Sequence, residues 1–144
     1  MRRHGIPTAD YAEFEQCEPA MHYLDSRREG SVVVKADCLC AGKGVVVCQD
    51  LDEAKQAVKR MMGDNEFGAA GSRVIIEELL RGQEVTILAL TDGKTIAPLA
   101  SSQDHKAAFD GDTGPNTGGM GAYSPAPVLT DELMDEVVER ILVP

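Results

Sequence analysis

Between Gln103 and Pro127 the chain reads QDHKAAFDGDTGPNTGGMGAYSPAP, with no hydrophobic period anywhere in it. A compact domain rarely carries so long a stretch without structure of its own unless it surrounds a ligand. Pro115, Pro125 and Pro127 stiffen this segment, while Gly118, Gly119 and Gly121 admit backbone angles and close approaches that a Cβ would block. A flexible linker would be more monotonous in composition. The mixture of charged, amide, hydroxyl and apolar groups instead predicts a binding loop, structureless and exposed to a ligand.

The rest of the chain must supply the scaffold. Its 144 residues, 43% hydrophobic, are enough for one ordinary domain with a real core. No apolar run approaches the ~20 residues of a membrane helix. The opening MRRHGIPTADY has no apolar stretch behind its arginines, so a secretory leader is not expected and the cytoplasm is. A formal charge of −10 disfavours nucleic acid or an anionic membrane as the main partner. An anionic ligand would need local lysines to hold it. Cys17, Cys38, Cys40 and Cys48 match no standard zinc spacing and are expected as free thiols.

Periodicity predicts an α+β order with antiparallel strands. A helix is expected over residues 18–28, with Pro19 in its first turn and Gly30 beyond its end. SVVVKA (Ser31–Ala36) and VVVCQ flank a glycine-bearing loop and suggest a hairpin. Asp50 and Glu53 form a capping-box pattern before Leu51, Ala54, Val58 and Met61 at helical spacing, which predicts a helix over 51–62. FGAAGS from Phe67 reads as a turn or loop. RVIIEELL (Arg73–Leu80) and EVTILALT (Glu84–Thr91) read as strands, and Asp92-Gly93 as a turn before TIAPLA. Thr130 is placed to cap a last helix with Leu133, Val137 and Ile141 on one stripe and Asp131 and Glu132 in its first turn. The abrupt ends, with no following layer to cover that helix, suggest part of a larger enzyme.

Several residues could carry chemistry. Lys35 ends an apolar strand and needs a partner for its charge. Lys43 sits between Gly42 and Gly44, which let backbone N–H groups approach a phosphate, although no P-loop pattern is present. Glu77, Glu78 and Glu84 lie at or beyond a strand end. They are compatible with solvated surface, or with an adenine slot whose glutamate accepts from ribose hydroxyls. His105 and the cysteines lack any accompanying nucleophile pattern.

Together VVVKADCLCAGKGVVV, VIIEELLRGQEVT and DGKTIAPLASSQDHKAAFDGDTGPNTGGMGAYSPAP resemble one family, the glycinamide ribonucleotide synthetases, or phosphoribosylamine–glycine ligases, of the ATP-grasp superfamily. HGIPTADY and FGAAG fit the same family. The resemblance implies an ATP-grasp fold, here incomplete. About 37–100 would form the lid and nucleotide-binding part, about 101–127 a substrate and phosphate loop, and 130–142 a helix. It implies that ATP phosphorylates glycine and that 5-phosphoribosylamine attacks the glycyl phosphate. The products would be glycinamide ribonucleotide, ADP and phosphate, in purine synthesis.

By the same resemblance Lys35 and Lys106 are the catalytic lysines. Lys35, Lys43, Gly44, Lys106 and Asn116 would hold ATP phosphates, and Glu77, Glu78, Leu79 and Leu80 the adenine hinge. Glu84 would take the ribose, and Asp104, Thr117, Gly118, Gly119 and Met120 the other substrates. Lys35 and Glu84 are expected around a single triphosphate. Cys38 and Cys40 depart from the family's glycine and alanine in the lid loop. Glutamate and asparagine ligands for Mg²⁺ are expected beyond Pro144, so this polypeptide alone is expected to be inert. A non-catalytic ATP-binding module and another ATP-grasp carboxylate–amine ligase are the alternatives.

Overall fold

The computed structural model describes residues 1–28, 30–37, 44–64, 72–111 and 113–144. The predicted Lys43, Cys38, Cys40 and the FGAAG segment lie outside the described residues. The chain divides into two compact units, one of Ala9–Leu80 and one of Met1–Thr8 with Arg81–Pro144.

The Ala9–Leu80 unit is a four-stranded antiparallel sheet under two helices. Strand β1 (Tyr11–Phe14) leads to helix α1 (Cys17–Ser26), β2 (Val32–Ala36), β3 (Val45–Cys48), α2 (Leu51–Val58) and β4 (Val74–Glu78). The spatial order is β1-β4-β2-β3, and β2 and β3 form the expected hairpin. Strand alternation decides which side is core. Val32, Val34, Val74 and Ile76 are fully buried beneath Ala20, Leu24, Ala54, Ala57, Val58 and Met61 of the helices.

Asp50 caps α2 as the sequence predicts, accepting from Glu53 N at 2.8 Å, while Glu53 Oε2 reaches back to Gln49 N at 2.7 Å. A wider π turn, Lys59–Gly63, continues α2, so the helical path runs slightly past the expected 62. Helix α1 is shorter than the predicted 18–28. Arg27 turns to extended backbone (φ −75°, ψ 145°) while its guanidinium bonds back to the Tyr23 hydroxyl at 2.8 Å, so the chain leaves the helix with its side chain still anchored.

The second unit opens on a short 3₁₀ turn, Arg2–His4, closed by Gly5 at φ 67°. Its hairpin pairs β5 (Ala89–Thr91) with β6 (Ile96–Pro98). Asp92 Oδ1 accepts from Lys94 N at 2.9 Å and Thr95 N at 2.7 Å to close the turn. These N–H groups hold the Asp92 carboxyl below its ordinary pKa. The expected Glu84–Thr91 strand is thus only partly realised. Pro98, opposite Ala89, has no N–H to donate, and beyond it the two segments are joined by Leu99 N donating to the Leu88 carbonyl at 2.8 Å and by the isolated Thr86–Ser102 bridge.

The long segment from Gln103 is not structureless as the sequence suggests. It forms β7 (Gln103–Asp104), β8 (Ala107–Phe109), β9 (Thr113–Asn116) and β10 (Ala122–Tyr123), with β7 paired to β10 and β8 to β9. Backbone polar groups that fold back on the protein need partners, and these short ladders supply them. Helix α3 (Asp131–Val137) starts at Thr130, whose Oγ1 accepts from Leu133 N at 3.3 Å, and Val138–Leu142 adds a π turn. No helix among the described residues is long and apolar enough to cross a membrane.

Candidate functional site

The loop that the sequence singles out is laced to itself at Lys106. Thr117 N and Oγ1 both donate to the Lys106 carbonyl, at 2.7 and 2.9 Å, and Thr117 Oγ1 also accepts from Gly119 N at 3.1 Å. Met120 N donates to the His105 carbonyl at 2.7 Å, and His105 N donates to the Gly121 carbonyl at 3.0 Å. Gly119, at φ 112°, takes a left-handed angle that this tight return requires. Nearby, Gly114 at φ 88° lies against the Phe109 ring, where a Cβ would collide.

At the other end Ser101 is buried. Its Oγ accepts from Ala126 N at 3.0 Å, and its carbonyl accepts from Ser124 Oγ at 2.7 Å. The β7–β10 ribbon is therefore held at both ends, with Gln103 facing Tyr123 in register and Asp104 facing Ala122.

This ribbon walls a cleft of about 580 Å³ whose polar lining includes Glu84, Gln103, Asp104, His105, Lys106 and Tyr123, with Gly82 and Gly114 also lining it. Lys106 Nζ lies 2.8 Å from Glu84 Oε2 and 3.4 Å from Asp104 Oδ2. The hydrogen bond to Glu84, reinforced by the charges of both carboxylates, raises the Lys106 pKa against the opposing effect of burial, so the ammonium is kept protonated. Such an arrangement holds an ammonium on two carboxylates, either of which a ligand's anion can displace. The Tyr123 hydroxyl donates to Gln103 Oε1, and its ring tilts against His105 at 5.4 Å between centroids.

In the Ala9–Leu80 unit Lys35 meets the partner its charge requires, with Nζ 2.5 Å from Glu77 Oε2. Glu77 pairs with Val33, two residues before Lys35, so the contact is diagonal across β2 and β4. Both side chains lie on the sheet face opposite the buried Val32, Val34 and Ile76. Arg73 crosses to Asp37 on the same face, and this contact raises the guanidinium pKa.

Glu78 serves the fold: its N donates to the Asp10 carbonyl at 2.8 Å and its Oε2 accepts from Asp10 N at 3.0 Å. Leu79 and Leu80 leave the ladder, and Leu80 is 63% exposed. Gly44 is buried, and its carbonyl accepts from Ala36 N at 2.8 Å.

Of the residues singled out by sequence, then, Glu84, Asp104 and Lys106 come together in one cleft. Thr117, Gly119 and Met120 brace the backbone behind Lys106 through their own bonds, with Gly118 in the same turn, and Asn116 sits in β9 opposite Ala107. Lys35, Gly44, Glu77, Glu78, Leu79 and Leu80 belong to the other unit. Sequence reasoning missed Gln103, His105 and Tyr123 as cleft residues. Pairing between β7 and β10 joins them, and no local spacing pattern announces a two-residue ladder.

The sequence profile of the phosphoribosylglycinamide synthetase ATP-grasp (A) domain matches residues 1–144. The chain is 57% identical over 145 aligned residues to a phosphoribosylamine–glycine ligase of Allochromatium vinosum, covering all of this chain and 33% of that protein. It is 54% identical, with the same coverage, to one from Escherichia coli. The chain thus spans about a third of the length of these curated relatives. The crystal structure of a phosphoribosylamine–glycine ligase from Thermotoga maritima superposes with a TM-score of 0.82 at 32% identity, over 96% of this chain and 35% of that one. A D-alanyl-alanine synthetase A from Vibrio cholerae shares the fold at a TM-score of 0.66 and 17% identity, over 99% of this chain and 44% of that one. The chain belongs to the phosphoribosylglycinamide synthetase ATP-grasp (A) domain family.

Proposed function

We propose that this chain supplies the nucleotide-binding part and the substrate loop of an enzyme that uses ATP to join glycine to 5-phosphoribosylamine. The products are glycinamide ribonucleotide, ADP and phosphate, formed through a glycyl phosphate. The observation that carries this is the meeting of Glu84 with Asp104 and Lys106 in one cleft, because family resemblance assigns all three to ligands and Glu84 lies in a stretch of sequence remote from the other two. A carboxylate is a poor acyl donor, so its activation as a mixed anhydride needs cations on the phosphates and exclusion of water from the intermediate.

On this reading Lys35, Lys43 and Lys106 take the phosphates, with Gly44 and Asn116 nearby. The 77–80 backbone meets the adenine, and Glu84 accepts from the ribose hydroxyls. Asp104 and the Thr117–Met120 turn face glycine or phosphoribosylamine. The free thiols of Cys17 and Cys48 suit a reducing, cytoplasmic setting. Magnesium is a different matter. No group of three or more His, Cys, Asp or Glu able to hold a metal occurs among the described residues, and both cleft carboxylates contact Lys106. These residues do not make a magnesium site, and none of the roles above depends on one.

The test transplants the whole 144-residue chain into the Allochromatium vinosum ligase in place of its matching third. Turnover of ATP with glycine and phosphoribosylamine in that chimera is expected, and none by the 144-residue chain alone. A folded chimera that binds ATP without turnover would favour a nucleotide-binding module. Turnover only with another carboxylate would point to a different ligase.

A further inference from the structure

We propose that Gln103 contacts substrate in the cleft, donating its side-chain N–H groups to an anionic oxygen, and that Tyr123 is the positioning residue that orients it. This rests on the ligase assignment above. A glutamine amide has an accepting end and a donating end, and the protein must fix which one faces a ligand. Here the Tyr123 hydroxyl donates to Oε1, which claims the accepting end. The two Nε2 hydrogens remain, and no acceptor among the described residues takes them, although Gln103 is half-buried in the cleft wall.

Tyr123 is itself held. Its strand pairs with Gln103 in register, and its ring rests on His105. Ser124 and Ala126 just beyond it are bonded to the buried Ser101. An orientation enforced from so many sides is more than a surface glutamine needs.

The charges around it indicate what the amide meets. Glu84 and Asp104, the two carboxylates of the cleft, both lie on Lys106. The Gln103 amide therefore adds donors to the wall that Lys106 lines, and suits a carboxylate or phosphate oxygen. The proposed reaction brings such oxygens on ATP, glycine and phosphoribosylamine. Their shared chemistry is the oxyanion, and separate kinetics distinguish the source.

The decisive variant is Gln103→Glu in the chimera. Glutamate keeps the size and gives the Tyr123 hydroxyl a better acceptor, but replaces both donors with negative charge. A purely structural glutamine would tolerate it. For a donor to an anion, KM for one of the three substrates should rise roughly tenfold or more, and further than in Gln103→Ala. The substrate whose KM moves identifies the oxyanion.

Tyr123→Phe removes only the hydroxyl and should raise the same KM by roughly threefold, with little added effect on top of Gln103→Ala because the two act as one unit. All three KM values within about twofold of the parent in Gln103→Glu, or full additivity of Tyr123→Phe with Gln103→Ala, would overturn the proposal. An inactive parent chimera would instead count against the ligase assignment, before any Gln103 variant is compared.

Discussion

Replacing Glu84 with alanine should separate what this carboxylate does for folding from what it does for a nucleotide. Its contact with Lys106 spans 2.8 Å, and the two side chains are 71% and 44% exposed. At that distance unit charges in bulk water attract by about 1.5 kcal/mol. Immobilising a long glutamate and lysine consumes a similar amount of rotamer entropy, and Asp104 still holds Lys106 from 3.4 Å. The folding penalty should therefore stay below about 1 kcal/mol.

Nucleotide binding should respond differently. On the proposed function the carboxylate accepts ribose hydroxyls in charge-assisted bonds worth roughly 1.5–3 kcal/mol, less about 1 kcal/mol to part it from Lys106. A net loss of about 0.5–2 kcal/mol is roughly a two- to thirtyfold rise in Kd for ATP. Isothermal titration of the chimera with ATP and with 2′-deoxy-ATP would read it, beside a thermal melt. The parent should prefer ATP, and the variant should bind both equally. A variant that binds ATP as tightly as the parent and still discriminates the two nucleotides would refute the reasoning.

Leu24→Ala deletes a fully buried side chain of α1 above a floor of Val32, Val34, Val74 and Ile76. Stiff β-branched neighbours collapse poorly into a cavity, so a loss of about 3 kcal/mol is expected in urea denaturation, and less than about 1 kcal/mol would contradict this packing. Asp50→Ala should remove about 1 kcal/mol by freeing Glu53 N, with most of it regained in Asp50→Ser; equal stability of the two variants would deny the cap. Burial raises the Cys48 thiol from 9.0 to about 11. A raised pKa stabilises the fold fully below pH 9.0 and loses that contribution as pH rises through 11. The parent should therefore lose about 2 kcal/mol more than Cys48→Ala across that interval, and identical pH slopes for the two proteins would exclude the effect.

Much of the scaffold is legible in the sequence because its signals are local. The Asp50–Glu53 cap, the valine runs around the hairpin and the Asp92-Gly93 turn each specify their own geometry within a few residues. The segment from Gln103 resists such reading for a physical reason. Its order comes from two-to-four-residue ladders whose partners are remote, as with Gln103 and Tyr123, too short to leave a hydrophobic period. Lys35 shows the opposite balance: a charge in an apolar strand demands a partner, and the sequence could state that need without naming Glu77 two strand-positions away. For the same reason Lys106 could be assigned to phosphate, but not its resting contacts with Glu84 and Asp104.

Those resting contacts bear on selectivity. Lys35 and Lys106 each sit on a carboxylate, in a chain of net charge −10. A phosphate that reaches such a lysine does not create an ion pair from a free cation; it exchanges one anion for another, and the displaced carboxylate must find new hydrogen bonds or return to water. On the proposed function a nucleotide answers both halves at Lys106, since its phosphates take the ammonium while its ribose hydroxyls donate to the released Glu84. Inorganic phosphate offers only the first half. It would strand Glu84 beside Asp104 with their mutual repulsion no longer offset by the lysine. If Glu84 reads the ribose as proposed, storing the cation on it disfavours a phosphate that arrives without a sugar.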